Sequence, residues 1–191
     1  MVSASVPGSR LAVDSPVSVR KATMTDIQNL LELINNYAAG GIMLPRTEFE
    51  MSENIRDFTV AYSGRKLLGC GALHFYTPTT GEIRSLAVEP SLKTQGVGRR
   101  IVAALETEAL ENGLHALFAF TYVPGFFQRL GFHEVERGAL PLKVWKDCLR
   151  CKKFECCDEI AMLKALRLDP VLSSQYEAES ELIQLPNRIS S

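Results

Sequence analysis

The sequence predicts an α/β protein, a mixed α+β sheet at the centre with helices flanking it. Three observations predict this class. Short apolar runs of strand length alternate with two capped helical stretches, and a strand, loop, helix, strand unit occupies the middle of the chain. The 191 residues, 46% hydrophobic and 23% charged, are enough to bury one substantial core but not two.

Val17 to Lys21 forms a short first strand, and Thr25-Asp26-Ile27-Gln28 has the spacing of a capping box that opens a helix. Ile27, Leu30, Leu31, Ile34 and Tyr37 give that helix an apolar face, and Gly40-Gly41 ends it. Thr47-Glu48-Phe49-Glu50 repeats the box for a second, short helix reaching about Ile55. Phe58 to Tyr62 and Lys66 to Phe75 read as two strands joined through Ser63-Gly64. Pro78 and Gly81 break the chain, and Glu82 to Val88 is a third extended run that ends at Glu89-Pro90.

The loop from Lys93 to Arg100 runs straight into a helix in which Val97, Ile101, Leu105 and Ala109 recur every four residues, with Asn112-Gly113 as its stop. Leu117 to Phe120 is a strand and Pro124 to Leu130 a short helix. Gly131-Phe132 leads into a strand through Val135, and a last strand lies near Ile160 to Leu163. Residues 1–17 and 167–191 lack periodicity and are expected to be flexible, leaving 18–166 as the working domain.

Charge and composition narrow the function. With 21 basic and 22 acidic residues the net charge is −1, so no global field favours nucleic acid or an anionic membrane. No apolar run approaches the roughly 20 residues that span a bilayer, and the mixed Ser, Pro, Gly and Asp of the first 16 residues make no signal core. A cytoplasmic small-molecule enzyme is the expectation, with a homodimer left open. Five cysteines, four of them between Cys148 and Cys157, are too local to staple such a fold. Cys148, Cys151, Cys156 and Cys157 are either reduced thiols or, by their Cys-x-x-Cys spacing, ligands of one tetrahedral zinc. Adjacent cysteines rarely bind one ion together, so plain thiols are favoured. Cys70 lies within an apolar strand and reads as core.

A strand ending in a Gly-containing turn that opens into a helix can hold a pyrophosphate. Glycines let the backbone come close, first-turn amides point at the anion, and Lys93, Arg99 and Arg100 add positive charge. Ser85-Leu86-Ala87-Val88-Glu89-Pro90, this loop and its helix, and Phe126-Phe127-Gln128-Arg129-Leu130-Gly131-Phe132 together resemble the GNAT family of acyl-CoA N-acyltransferases over about residues 18–163. The resemblance implies acetyl-CoA as co-substrate. Lys93, Thr94, Gln95, Gly96, Val97, Gly98 and Arg99 then hold its pyrophosphate, while Leu86, Ala87 and Val88 line the pantetheine arm. Lys93 stands conservatively for the usual first residue of the family loop, and Thr94 stands where many members carry a glycine.

Gly40-Gly41-Ile42-Met43-Leu44-Pro45-Arg46, Gly81 to Val88, and Leu140-Pro141-Leu142-Lys143-Val144-Trp145 resemble more narrowly the N-acetylglutamate synthase family, which begins arginine biosynthesis. Larger members carry an amino-acid kinase domain; 191 residues leave no room for one, so the likeness is to the short form. It implies a small amino-acid acceptor, glutamate first. Arg46 matches a family arginine that holds a substrate carboxylate, a task suited to a planar two-donor fork. Lys143 and Arg84 are the candidates for a second carboxylate anchor.

The attacking amine must be neutral, and Glu82, matching a family acid, is the candidate base. Where many members place a tyrosine that protonates the leaving thiolate, this chain has Phe127; either Tyr122 serves instead or the thiolate leaves unassisted. Two rival functions stay open. One is acetyl transfer to another amine, such as glutamine, a different amino acid or a protein N-terminus. The other is a regulatory module that binds acetyl-CoA without turnover.

Overall fold

The computed structural model describes residues 16–93, 95–140 and 158–167. The expected mixed sheet is present, with seven strands. They are β1 (Val17–Lys21), β2 (Phe58–Ser63), β3 (Lys66–Phe75), β4 (Thr80–Val88), β5 (Ala116–Thr121), β6 (His133–Glu134) and β7 (Ile160–Ala165), in the order β1-β2-β3-β4-β5-β7-β6. Among the described residues four α-helices flank it: α1 (Ile27–Ala39), α2 (Glu48–Asn54), α3 (Val97–Glu111) and α4 (Pro124–Gln128). The β4/β5 pair is parallel, joining Thr80, Gly81 and Glu82 to Ala116, Leu117 and Phe118, as a helical crossover requires. β1/β2, β2/β3, β5/β7 and β6/β7 are antiparallel.

The chain divides into two compact units, one from Met1–His74 and Ile83–Glu108, the other from Phe75–Glu82 and Ala109–Ser191. The first has a core in which Ile27, Leu30, Leu33 and Ile34 of α1 pack with Met51, Ile55, Phe58, Val60 and Cys70. Leu33, not Leu31, completes the buried stripe; Leu31 and Tyr37 lie at its margin. Burying each such large side chain contributes roughly 1.5–3 kcal/mol, which is why so short a helix holds its place. Gly69 and Gly71 set the closeness of α3 to β3. A Cβ on Gly69 would stand 3.1 Å from Ile101 of α3, as well as 2.7 Å from the Ala87 carbonyl of β4, and one on Gly71 would stand 3.0 Å from Ile101.

The second unit is aromatic. Phe118, Leu140 and Ala161 form its buried centre, with Tyr76, Phe120, Val135 and Leu163 against them. Phe127 meets Phe126 and Phe132 edge to face, each at 5.2 Å between ring centres.

Three sequence expectations shift. The capping box predicted at Thr25 lies two residues earlier: Thr23 is the cap, and Asp26 accepts hydrogen bonds from its N–H (2.8 Å) and hydroxyl (3.0 Å). Asp26 is selected because Arg20 donates to it through two nitrogens, at 2.8 and 2.9 Å, a pairing that the amide of Gln28 cannot match. Those bonds hold the Asp26 carboxyl well below the usual carboxylate range, and through them the turn Met24–Asp26 leads into α1. Gly81 does not break the chain. It is buried in the parallel ladder opposite Leu117, so β4 begins at Thr80 and Glu82 is its third residue. The strand predicted through Val135 is only His133–Glu134, with the Val135 N–H donating onward to the Ala161 carbonyl. The second box, at Thr47 and Glu50, is where the sequence puts it.

Candidate active site

At position 85 β4 departs from regular strand geometry. Ser85 adopts φ 52°, alone among the described non-glycine residues in a positive φ. A left-handed serine inside a strand is strained, and such strain collects at functional sites. The buried Cys70 thiol lies 3.6 Å from the Ser85 carbonyl, and desolvation pushes that thiol up to about 12. Nothing in the residue pattern signals this irregularity, because serine is not a residue that favours positive φ.

Past Ser85, Leu86, Ala87 and Val88 complete β4, with Ala87 buried and its neighbours half-buried. The turn Pro90–Leu92 follows, anchored by the buried Leu92, and Gln95 donates to the Leu92 carbonyl. Gly96 adopts φ 79°, and a Cβ built there meets nothing within 4 Å. That combination needs glycine for its dihedral angle and leaves open ground beside the backbone. Arg100 N–H donates to the Gly96 carbonyl, so α3 starts from Gly96 and the amides of Val97, Gly98 and Arg99 fall in its first turn, where no intrahelical acceptor exists. Lys93 and Arg99 are exposed and basic. Thr94 lies outside the described residues. The residues present fit a diphosphate: open backbone, first-turn amides and cations in one short segment.

Of the predicted acceptor residues, Arg46 sits in the segment between α1 and α2, and Asn35 clamps its backbone at both ends. Asn35 Nδ2 donates to the Arg46 carbonyl at 3.0 Å, and Arg46 N–H donates to Asn35 Oδ1 at 2.9 Å. Arg84 on β4 joins two residues that sequence reasoning missed. His74 Nδ1 stands 2.8 Å from Asp57 Oδ2 and 3.1 Å from Arg84 Nη2, while Arg84 Nη2 is 3.7 Å from the same Asp57 oxygen. One ring nitrogen cannot donate to Asp57 and accept from Arg84 in the same tautomer. The three therefore form a charge triangle in which the carboxylate offsets the guanidinium.

Glu82 is buried and level with Phe118 in the parallel ladder. Tyr122 is half-buried, one residue past the end of β5 and four residues beyond Phe118, roughly 13 Å farther along the strand direction. The structure does not bring Glu82 and Tyr122 to one level. Phe127 is buried in its aromatic stack. Lys143, Cys148, Cys151, Cys156 and Cys157 lie outside the described residues. Among the described residues no cluster of His, Cys, Asp and Glu is suited to a metal ion, and no helix is long and apolar enough to cross a membrane.

Between β4 and α3 the mixed sheet thus offers the open backbone, helix-start amides and cations that suit the diphosphate of a nucleotide-tethered group. Residues 25–132 match the acetyltransferase (GNAT) family, and the chain belongs to that family. It is an acetyl-CoA-dependent acetyltransferase. An uncharacterized N-acetyltransferase of Chlorobaculum tepidum is 42% identical over 148 residues, covering 78% of this chain and 96% of that one. An amino-acid acetyltransferase of Mycobacterium tuberculosis is 34% identical over 135 residues, 69% of this chain and 77% of that one.

Among solved structures, a Mycobacterium tuberculosis protein in complex with CoA and NLQ superposes with a TM-score of 0.68 at 30% identity, covering 78% of this chain and 99% of that one. N-acetylglutamate synthase of Neisseria gonorrhoeae, complexed with CoA and N-acetyl-glutamate, gives 0.73 at 28% identity. The match covers 81% of this chain and 36% of that longer enzyme.

Proposed function

We propose that this chain transfers the acetyl group of acetyl-CoA to the α-amino group of L-glutamate, giving N-acetylglutamate, the first step of arginine biosynthesis. The observation that carries the reading is the likeness to an amino-acid acetyltransferase over most of both chains. Acetyl-CoA supplies an activated thioester; the protein's residues orient the acceptor and manage its proton. Glu82, in its buried place on β4, takes the proton from the ammonium, directly or through a water, so that the amine attacks as a neutral nucleophile in a ternary complex. Backbone amides of Leu86 to Val88, past the irregularity at Ser85, face the developing oxyanion. Arg46, on its clamped backbone, grips a carboxylate of the acceptor, and Lys143 or Arg84 reads the second. The thiolate leaves with a proton from Tyr122 or unassisted, since Phe127 has none to give.

One observation favours a second acceptor. Asp57 offsets the charge of Arg84, which weakens it as an anchor for a side-chain carboxylate and admits the neutral amide of glutamine. A screen of free amino acids following CoA release decides between the two, with polyamines and peptides included. Glutamate turnover highest by tenfold supports the first reading, and a peptide or polyamine preferred over every amino acid overturns both. In the same assay Arg46→Lys keeps the charge and loses the fork, raising the acceptor KM by the equivalent of about 1–3 kcal/mol while the acetyl-CoA KM holds.

A further inference from the structure

Tyr37 belongs to the apolar stripe of α1, yet its hydroxyl leaves that stripe and donates to the Val88 carbonyl at 2.6 Å, at the short end of the range for such bonds. Val88 is the last residue of β4, immediately before the turn that carries the anion-binding loop. The face of the same ring lies 5.0 Å from the Lys93 ammonium, well inside the reach of a cation–π attraction. One side chain thus touches both ends of residues 88–93, while the middle is pinned by the buried Leu92. Tyr37 is itself fixed from behind, because its carbonyl accepts the Ile42 N–H across the Gly40-Gly41 helix stop.

We propose that Tyr37 is a positioning residue for acetyl-CoA, setting the end of β4 through its hydroxyl and holding the Lys93 ammonium at the loop through its ring. A free lysine side chain loses about 2 kcal/mol of rotamer freedom when it is fixed on a ligand. A lysine already parked on an aromatic face has given up part of that freedom before the ligand arrives, so binding costs less. The hydroxyl acts on the other half of the ligand. By setting the direction of the Val88 peptide, it sets the backbone groups with which the strand end receives the pantetheine arm. The proposal rests on the reading of residues 93–98 as the pyrophosphate loop, and does not depend on which amine is the acceptor.

Calorimetric titration of the full chain with acetyl-CoA and with S-acetylpantetheine, which has no pyrophosphate, tests it, alongside steady-state kinetics. Tyr37→Phe removes the hydroxyl and keeps the ring. About fivefold weaker binding of both ligands is expected, from the loss of one hydrogen bond, with kcat at saturating acetyl-CoA changed less than twofold. Lys93→Met is expected to weaken acetyl-CoA about fivefold and leave S-acetylpantetheine unchanged. In a Tyr37→Leu background, where the ring is absent, Lys93→Met is expected to add less than twofold.

A Tyr37 of purely structural importance would lower the melting temperature without separating binding from turnover. Unchanged ligand binding in Tyr37→Phe, or kcat falling as far as affinity, overturns the proposal. So does a full Lys93→Met penalty in the Tyr37→Leu background. If Tyr37→Leu does not fold, the response of Tyr37→Phe to the two ligands decides alone. Gly96→Val separates this failure from failure of the loop reading: lost acetyl-CoA binding there with normal binding in both Tyr37 variants sinks only the role of Tyr37.

Discussion

The segment proposed to meet the cofactor and the residues proposed to face the acceptor are built from different materials. Between Val88 and Arg99 the useful groups are backbone amides, a glycine at φ 79° and a helix start, all contiguous in the chain. The acceptor candidates are side chains delivered from separate elements. Arg46 comes on the segment before α2, and Arg84, His74 and Asp57 come from β4, β3 and the turn before β2. A backbone site tolerates many side chains but few changes of dihedral angle, whereas a side-chain site tolerates backbone variation but few changes of chemistry. Substitutions in the two regions are therefore expected to fail in different observables.

The largest effect is expected at Glu82. Glu82→Gln keeps the shape of the residue and removes the base, and kcat is expected to fall on the order of 100-fold or more while acetyl-CoA affinity by calorimetry stays within twofold. A near-normal rate across the pH range removes Glu82 from the mechanism. Gly96→Val is expected to do the opposite. A branched residue at φ 79° is strained, and its side chain occupies the open ground beside the loop, so acetyl-CoA binding falls tenfold or more while any residual kcat at saturation is spared. Equal losses in both observables would dissolve the distinction between the regions.

A third substitution acts on neither site. Asp26→Asn removes the carboxylate that caps the turn into α1 and pairs with Arg20, and is expected to cost about 1.5–3 kcal/mol of stability at neutral pH, read by urea denaturation. The folded Asp26 carboxyl titrates below its unfolded value, so its contribution is complete above that value and is lost as the pH falls beneath it toward the folded one. Wild-type stability is therefore expected to decline on acidification below about pH 4, with the decline shallower in Asp26→Asn. The smallest effect belongs to Asp57→Asn. Releasing Arg84 from its counter-charge is expected to raise the glutamate-to-glutamine ratio of kcat/KM about threefold, the scale of a partly exposed pair near 0.6 kcal/mol. A ratio that does not move takes Arg84 out of acceptor recognition.

The same division explains what could be read from the residues alone. The loop was legible because its geometry is written in adjacent letters, Gly96 and Gly98 on either side of Val97, where a four-residue apolar repeat begins. The Asp57, His74 and Arg84 triangle was not, because finding it requires the register of the β2/β3 hairpin. That ladder begins with Ser63 opposite Lys66 and would, uninterrupted, place Asp57 opposite Ala72. The irregularity at Ala61/Tyr62 shifts it by one residue, so that Phe58 is opposite Ala72 instead. No propensity marks that slip. Tyr37 was read correctly as part of a helix face, but a face assignment says nothing of where a hydroxyl at its margin points. Gly81 misled for a related reason, since a ladder partner overrides the breaker tendency of a glycine.

Ser85 bears on the handedness of the chain itself. Its φ of 52° is the mirror of an ordinary dihedral angle, so the penalty there, about 1–2 kcal/mol, belongs to the L configuration of one residue and not to the path that β4 follows. A chain assembled by ligation with D-serine at position 85 follows that path at its natural chirality. Inversion at this one Cα exchanges the places of its hydrogen and its side chain and changes no other residue, so such a molecule keeps the path of the bend while removing the strain stored in it. If the protein becomes more stable and transfers acetyl groups at the same rate, the site uses only the shape, and the strain is a by-product of building it from L-amino acids.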